Sequence, residues 1–219
     1  MNDVTTIAST HAPTATASAG RAPHRETPPS HHRPTRAPFS ETHRRVVRDG
    51  AELDDVWRAA LDVTPREIRT FGPLIALRGL PSRLTGRGRG VADDTGDGPL
   101  LQLFESEGFV RLGEYSGDGV RRVEFGAAGR FWSLRDNHPI HFDGPDDFTA
   151  FDRPGHARIW FELVATDTGD GIELSTTTLV CGTDRRAELR FAPYWALIRL
   201  PSGLIRRSWL AAIERRARR

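Results

Sequence analysis

The residue types best suited to chemistry occur in a few short stretches, and each departs from the pattern its chemistry needs. His138-Pro139-Ile140-His141 lies between Asp136 and Asp143 and offers imidazole and carboxylate ligands for a metal. Ligands at that spacing are usually presented by a helix, whereas Pro139 favours an extended loop, so solvated histidines are the expected outcome. Asp93, Thr95, Asp97 and Gly98 open like a calcium loop, yet its twelfth position falls on Phe104 where the ion needs a bidentate glutamate. The glycines of Gly86-Arg87-Gly88-Arg89-Gly90 suit a phosphate cradle, but no Lys-Ser/Thr follows them. Cys181 has no base beside it in sequence, and no Gly-x-Ser-x-Gly elbow occurs. No metal or other cofactor is expected, and no catalytic set can be named.

Three other groups are more informative. Ile172, Leu174, Thr176, Thr178 and Val180 alternate onto one face of an extended segment, which aims two hydroxyls at an apolar interior where they need partners. Tyr194, Trp195 and Ile198 follow helical spacing. Core packing is the simplest account of them; lining of a ligand site, with the Tyr194 hydroxyl as a polar contact, is the functional one. Finally, Arg199, Arg206, Arg207, Arg215, Arg216, Arg218 and Arg219 stand against Glu214 alone in the last segment. With Leu204, Ile205, Trp209, Leu210 and Ile213 they form a basic amphipathic helix. Such a helix suits a membrane surface or a nucleic-acid contact, but within a globular domain its apolar stripe is expected on the core and its arginines in solvent.

Composition narrows the classes. The chain has 219 residues, room for one domain and a tail. Its 31 basic and 29 acidic residues leave a formal charge of +2, so net charge gives no case for nucleic acid. Every basic residue is arginine, which excludes lysine Schiff bases and P-loop chemistry and fits a GC-rich bacterial genome. One cysteine excludes an internal disulfide. No apolar run approaches a membrane span, and the N-terminus lacks the apolar core of a secretory signal, so a cytoplasmic protein is expected.

The elements that must position these residues read in a clear order. Residues 1–40 are rich in Ala, Thr, Ser, Pro and His and are expected to be a disordered tail, with His31-His32 as solvated linker rather than a metal pair. Residues 41–219 form the domain. Glu41–Asp49 reads as a strand, Ala51–Leu61 as a helix, and a second helix starts at Thr64-Pro65 and runs to about Gly79. After a glycine-rich connector and a short helix at Pro99–Glu107 come six expected strands: Phe109–Tyr115, Val120–Phe125, Arg130–Leu134, Phe148–Phe151, Ala157–Thr166 and Ile172–Cys181. Ser116-Gly117-Asp118-Gly119 and the Asp167–Gly171 stretch supply hairpin turns. A helix beginning at Thr183-Asp184 then runs almost to the end, kinked or interrupted at Pro201-Ser202-Gly203. With the short helix set aside, the order β-α-α-β6-α predicts an α+β domain whose antiparallel sheet is covered by a long C-terminal helix.

Several of these stretches resemble a known superfamily. Gly129-Arg130-Phe131-Trp132, the Phe148–Phe151–Pro154-Gly155–Ala157 spacing, and Thr176-Thr177-Thr178-Leu179-Val180 before Thr183-Asp184 contribute. So do Arg190-Phe191, Tyr194-Trp195, Ile198 and the run from Ser202 to Arg207. Together they look like an uncharacterised, mostly actinobacterial branch of the helix-grip (SRPBCC) superfamily, which holds START lipid-binding domains, birch-pollen-allergen-like proteins and polyketide cyclase/dehydrases. The resemblance covers about Glu41 to Arg219. It implies a curved sheet wrapped around the C-terminal helix with a deep hydrophobic cavity between them. Thr177 and Leu179 stand where the branch carries Glu and Arg, a departure on the outward face. The expected partner is therefore a hydrophobic small molecule or lipid, held by Phe131, Phe161, Leu163, Thr176, Thr178, Tyr194, Trp195 and Ile198. The alternatives are a cyclase/dehydratase-like enzyme, which needs an acid/base residue facing inward near Thr176, and a peripheral membrane or lipid-headgroup binder acting through the C-terminal arginines.

Overall fold

The computed structural model describes residues 30–48, 50–70, 98–133, 136 and 138–219. Within them the chain runs β1 (Phe39–Val47), α1 (Leu53–Asp62), a short 3-10 helix (Pro65–Glu67), α2 (Leu100–Ser106), β2 (Val110–Gly117), β3 (Val120–Gly129), α3 (Pro145–Ala150), β4 (Ala157–Asp167), β5 (Ile172–Gly182) and α4 (Arg185–Ala217). The strands make one five-stranded antiparallel sheet in the order β1-β5-β4-β3-β2. It is curved, and α4 lies along it, the helix-grip-like arrangement the α+β reading predicts.

Local chemistry explains the hairpins. Asp118 and Gly119 both take positive φ, 48° and 73°, the pair of left-handed residues that a two-residue turn between twisted strands demands. At the β4–β5 turn Thr168 N–H donates to Gly171 O at 3.0 Å, and Gly171 carries φ 147°. In β2 the register shifts between Arg111 and Gly113, and the bulged Leu112 joins Phe148, Trp160 and Leu179 on the outer side of the sheet.

The two expected strands at Arg130–Leu134 and Phe148–Phe151 are not strands. Phe131 and Trp132 lie in a turn closed by Ser133 N–H to Arg130 O at 2.7 Å. Phe148 belongs to α3, which has Pro145 in its first turn with Asp146 and Asp147, favourable charges at a helix N-terminus. The apolar run read as a strand is a short helix that sets the Phe148 ring on Gly126, where an added Cβ would stand 2.8 Å from the ring. Most of the expected second helix, including Ile75 and Leu77, lies outside the described residues, as do Gly86–Gly90 and Asp93–Asp97.

The N-terminal boundary also differs. Residues 30–38, expected within the tail, pack on the outer face ahead of β1: Ser30 Oγ donates to Glu124, His32 Nδ1 lies 2.9 Å from Thr149 Oγ1, and the Arg33 guanidinium sits 5.4 Å from the Trp160 ring centre. Residues 1–29 lie outside the described residues.

The helix α4 starts at an Asp184 cap, whose carboxylate accepts from Ala187 N–H at 2.7 Å and Gly155 N–H at 2.6 Å. Those amides hold the carboxyl below its ordinary value. The helix continues through Pro193 and through Pro201, at the second of which the sequence predicts a kink or brief interruption. Its C-terminal half joins α1 and α2 in the larger inner cluster, where Trp209 stacks on Phe161 at 5.8 Å. Each such buried ring stabilises the fold by roughly 1.5–3 kcal/mol. Its N-terminal half brings Phe191 against Ala127, Phe131 and Val180 in a second inner cluster. Among the described residues no helix is long and apolar enough to cross a membrane.

A buried polar band under the C-terminal helix

Strand register decides what meets what on the inner face. Phe161 is opposite Thr178 and Leu163 opposite Thr176, so β4 and β5 present the alternation read from the sequence. On the other side of β5, Glu41 of β1 is opposite Thr178, and His43 is opposite Thr176. A two-residue period therefore gathers Glu41, His43, Thr176 and Thr178 into one patch facing α4.

The helix completes that patch. Arg206 Nη1 donates to Glu41 Oε2 at 3.3 Å, and its guanidinium lies 5.9 Å from the Phe161 ring centre. The Glu41, His43 and Arg206 side chains are only 10%, 10% and 14% exposed, so this pairing operates largely out of water. Burial pushes Arg206 below the ordinary guanidinium value, and Glu41 opposes that shift. Glu41 Oε1 lies 2.8 Å from His43 Nε2, and Arg207 Nε donates to His43 Nδ1 at 3.4 Å. Because Nδ1 accepts, Nε2 carries the proton and donates to the carboxylate. Thr176 Oγ1, Thr178 Oγ1 and Trp209 Nε1 are buried without a hydrogen-bond partner among the described residues.

The residues expected to line one cavity fall into separate groups. Phe161 and Leu163 belong to the cluster around Trp209. Phe131, Tyr194 and Trp195 belong to, or pack against, the cluster around Phe191. Thr176 and Thr178 lie on the polar band, and Ile198 is half-buried on α4 outside both clusters. A shallow surface depression lies on the outer face, between His32, Pro34, Phe148, Arg158, Trp160 and Cys181.

Sequence reasoning missed Glu41, His43 and the inward position of Arg206. Residues 40–45 are all polar, so hydropathy gave β1 no inner face. One signal was present: Gly203, a glycine inside a helix, marks a close approach. A Cβ there would stand 2.7 Å from Glu41 Oε1 and 3.1 Å from His43 Nε2. Arginines expected in solvent are likewise engaged. Arg215 donates to Glu67 O at 2.9 Å, Arg216 pairs with Glu67 at 3.0 Å, and Arg218 pairs with Glu214 at 2.9 Å.

The outer face carries one buried carboxylate, Glu124, and one half-buried, Glu162. Glu124 and Glu162 are directly opposite in register; Arg122 Nε lies 2.8 Å from Glu124 Oε1. Burial raises the Glu162 carboxyl, reinforced by Glu124 and opposed by Arg33, Thr177 and Arg122. Burial also raises the Cys181 thiol. His141 lies 3.7 Å from Asp143 with both side chains exposed, and no group of three or more His, Cys, Asp or Glu able to hold a metal occurs among the described residues.

No family model, curated protein or solved structure matches the chain.

Proposed function

We propose that the chain binds a hydrophobic small molecule or lipid with an oxygen-bearing head between its sheet and α4, as the resemblance to helix-grip proteins implies. The observation that carries this reading is the pair of buried, unpartnered hydroxyls of Thr176 and Thr178 beside Glu41, His43 and Arg206. A buried polar group left unmet costs about 1–3 kcal/mol, so a bound head group that meets these hydroxyls gains what the ligand-free protein forgoes. The apolar clusters on either side of the band supply surface for the body of the molecule. Entry requires the middle of α4 to yield. Pro193 and Pro201 each remove one helical N–H donor there, which makes that stretch the weakest part of the helix.

The test is to titrate the purified chain with long-chain fatty acids and fused-ring aromatic ketones, following tryptophan fluorescence and lipophiles carried through purification. Saturable binding that weakens about tenfold in Thr176→Val/Thr178→Val is expected, a change of roughly 1.4 kcal/mol. Absence of any co-purified lipophile together with a flat titration overturns the proposal.

A cyclase/dehydratase-like enzyme is the alternative, favoured by one observation: His43 faces Thr176 with its Nε2 proton directed at Glu41. A carboxylate so placed orients the imidazole, and the Nδ1 atom, once released from Arg207, is the nitrogen that would take a proton from a carbon flanked by carbonyls. Turnover of a polyketone probe that disappears in His43→Gln while binding persists would favour the enzyme; binding without turnover in the unaltered protein favours the carrier.

A further inference from the structure

We propose that the outward face of α4 is a docking surface for an anionic lipid membrane. A surface helix ordinarily turns its polar residues outward. The middle of α4 does the reverse: Leu189, Leu197, Leu200 and Leu204 are 60%, 75%, 76% and 49% exposed. Their spacing of eight, three and four residues puts them in one stripe on the side away from Phe191 and Trp209. The stripe is about 22 Å long at 1.5 Å per residue. An exposed apolar stripe of this kind marks an interaction surface.

Charge selects the partner. Exposed Arg186 and Arg190 stand at one end of the stripe, and exposed Arg207 and Arg215 at the other, on the same helical side. Neither Arg186 nor Arg190 has a carboxylate within 4 Å among the described residues, although the Asp184 cap lies within electrostatic reach of Arg186. Arg207 and Arg215 direct their bonds to His43 Nδ1 and Glu67 O, and no ion pair of either with a carboxylate occurs among the described residues. Between residues 185 and 213 the one acidic residue is Glu188, which is buried. Leucines flanked by exposed arginines match a layer of acyl chains beneath anionic phosphates. A second copy of the chain fits poorly, because two-fold pairing of the stripe, parallel or antiparallel, sets arginines against arginines. Of the arginines singled out in the sequence, Arg207 and Arg215 lie on this surface, whereas Arg206 is turned to Glu41 and Arg216 and Arg218 are tied to Glu67 and Glu214.

Sedimentation of the full chain with phosphatidylglycerol/phosphatidylcholine vesicles, and with phosphatidylcholine alone, tests the proposal. Binding to the anionic vesicles that falls as salt rises is expected. Leu197→Ser/Leu200→Ser should lower it at least about tenfold, and Arg186→Gln/Arg190→Gln should weaken it and flatten its salt dependence. All four side chains are exposed, and unchanged melting of both variants shows that the fold is intact. Unchanged sedimentation of the leucine variant overturns the proposal, as does absence of binding by the unaltered chain. A dimer in sedimentation velocity that the leucine variant abolishes assigns the stripe to a second copy. A Leu200→Cys thiol, in a Cys181→Ser background, that resists a water-soluble maleimide without lipid assigns it to cover by the chain itself, residues 71–97 included. Either result also overturns the proposal.

Discussion

The two faces of the sheet solve the same problem differently. Each buries carboxylate side chains between strands and a cover. On the outer face Glu124 and Glu162 stand opposite one another, with Arg122, Arg33 and the Ser30 hydroxyl supplying compensation from the sheet and from residues 30–38. On the inner face Glu41 is held by His43 and Arg206, and the hydroxyls beside it are left unmet. The outer cluster has two carboxylates opposite one another in register and a carboxyl displaced upward by burial. It also has buried atoms lacking a hydrogen bond, at Glu124 Oε1, Arg158 Nε and Trp160 Nε1 among the described residues. The inner cluster has one carboxylate, a paired cation and orphaned hydroxyls. Strain from charge and strain from unfilled hydrogen-bond capacity are different quantities. The first is relieved by a proton, the second by a ligand.

The largest test of that contrast is Glu41→Ala. It strands the Arg206 guanidinium in an interface where little water reaches it, and roughly 3–5 kcal/mol of stability should be lost in urea unfolding. A loss below about 1 kcal/mol would mean that Arg206 swings into solvent and the band is a surface feature.

A smaller, opposite effect is expected from Thr176→Val and Thr178→Val. Removing an unpartnered hydroxyl while keeping shape should raise stability by about 1 kcal/mol or less per site, measured by thermal melting of the ligand-free chain. Stability that falls instead would show that these hydroxyls have partners in solution, and the contrast between the faces would then rest on charge alone.

The smallest effect is on the outer face. The folded-state value of Glu162 lies above the unfolded value of about 4.3, so its contribution to stability is complete below that pH and is lost as pH rises through the folded value. Glu162→Gln should therefore raise the melting temperature at neutral pH, and the gain should vanish near about pH 3. A gain independent of pH would remove charge as its cause. Asp184 acts in the reverse sense: its lowered value favours folding above the unfolded value and is lost as pH falls through the folded one.

These contrasts also explain what the sequence disclosed. The last two strands were legible because Phe161, Leu163, Thr176 and Thr178 alternate over long runs, and because glycine-bearing turns bracket them. The long helix was legible from its recurring aromatics and its Asp184 cap. Phe148–Phe151 misled because a run that short has too little period to separate strand from helix, while the acidic first turn beside Pro145 carried the better signal. The polar band was illegible for another reason. Its inward residues on β1 alternate with residues that are equally polar, and their cation stands 165 positions away. The exposed leucines of α4 were concealed by the same helical spacing that made the segment look like an ordinary core helix.

The partnership of β1 with α4 bears on how the chain is assembled. Glu41 belongs to the first strand and Arg206 to the last helix, so almost the whole domain lies within the loop that their contact closes. Contacts of such sequence separation form late and slow the search for the native state, because chain entropy is lost before they can repay it. During synthesis β1 leaves the ribosome long before its partner strand β5 exists. As a waiting strand it displays Glu41, His43, Arg44 and Arg45, charges and polar groups that discourage pairing with a neighbouring nascent chain. The residues that later become the buried band thus begin as a guard against aggregation.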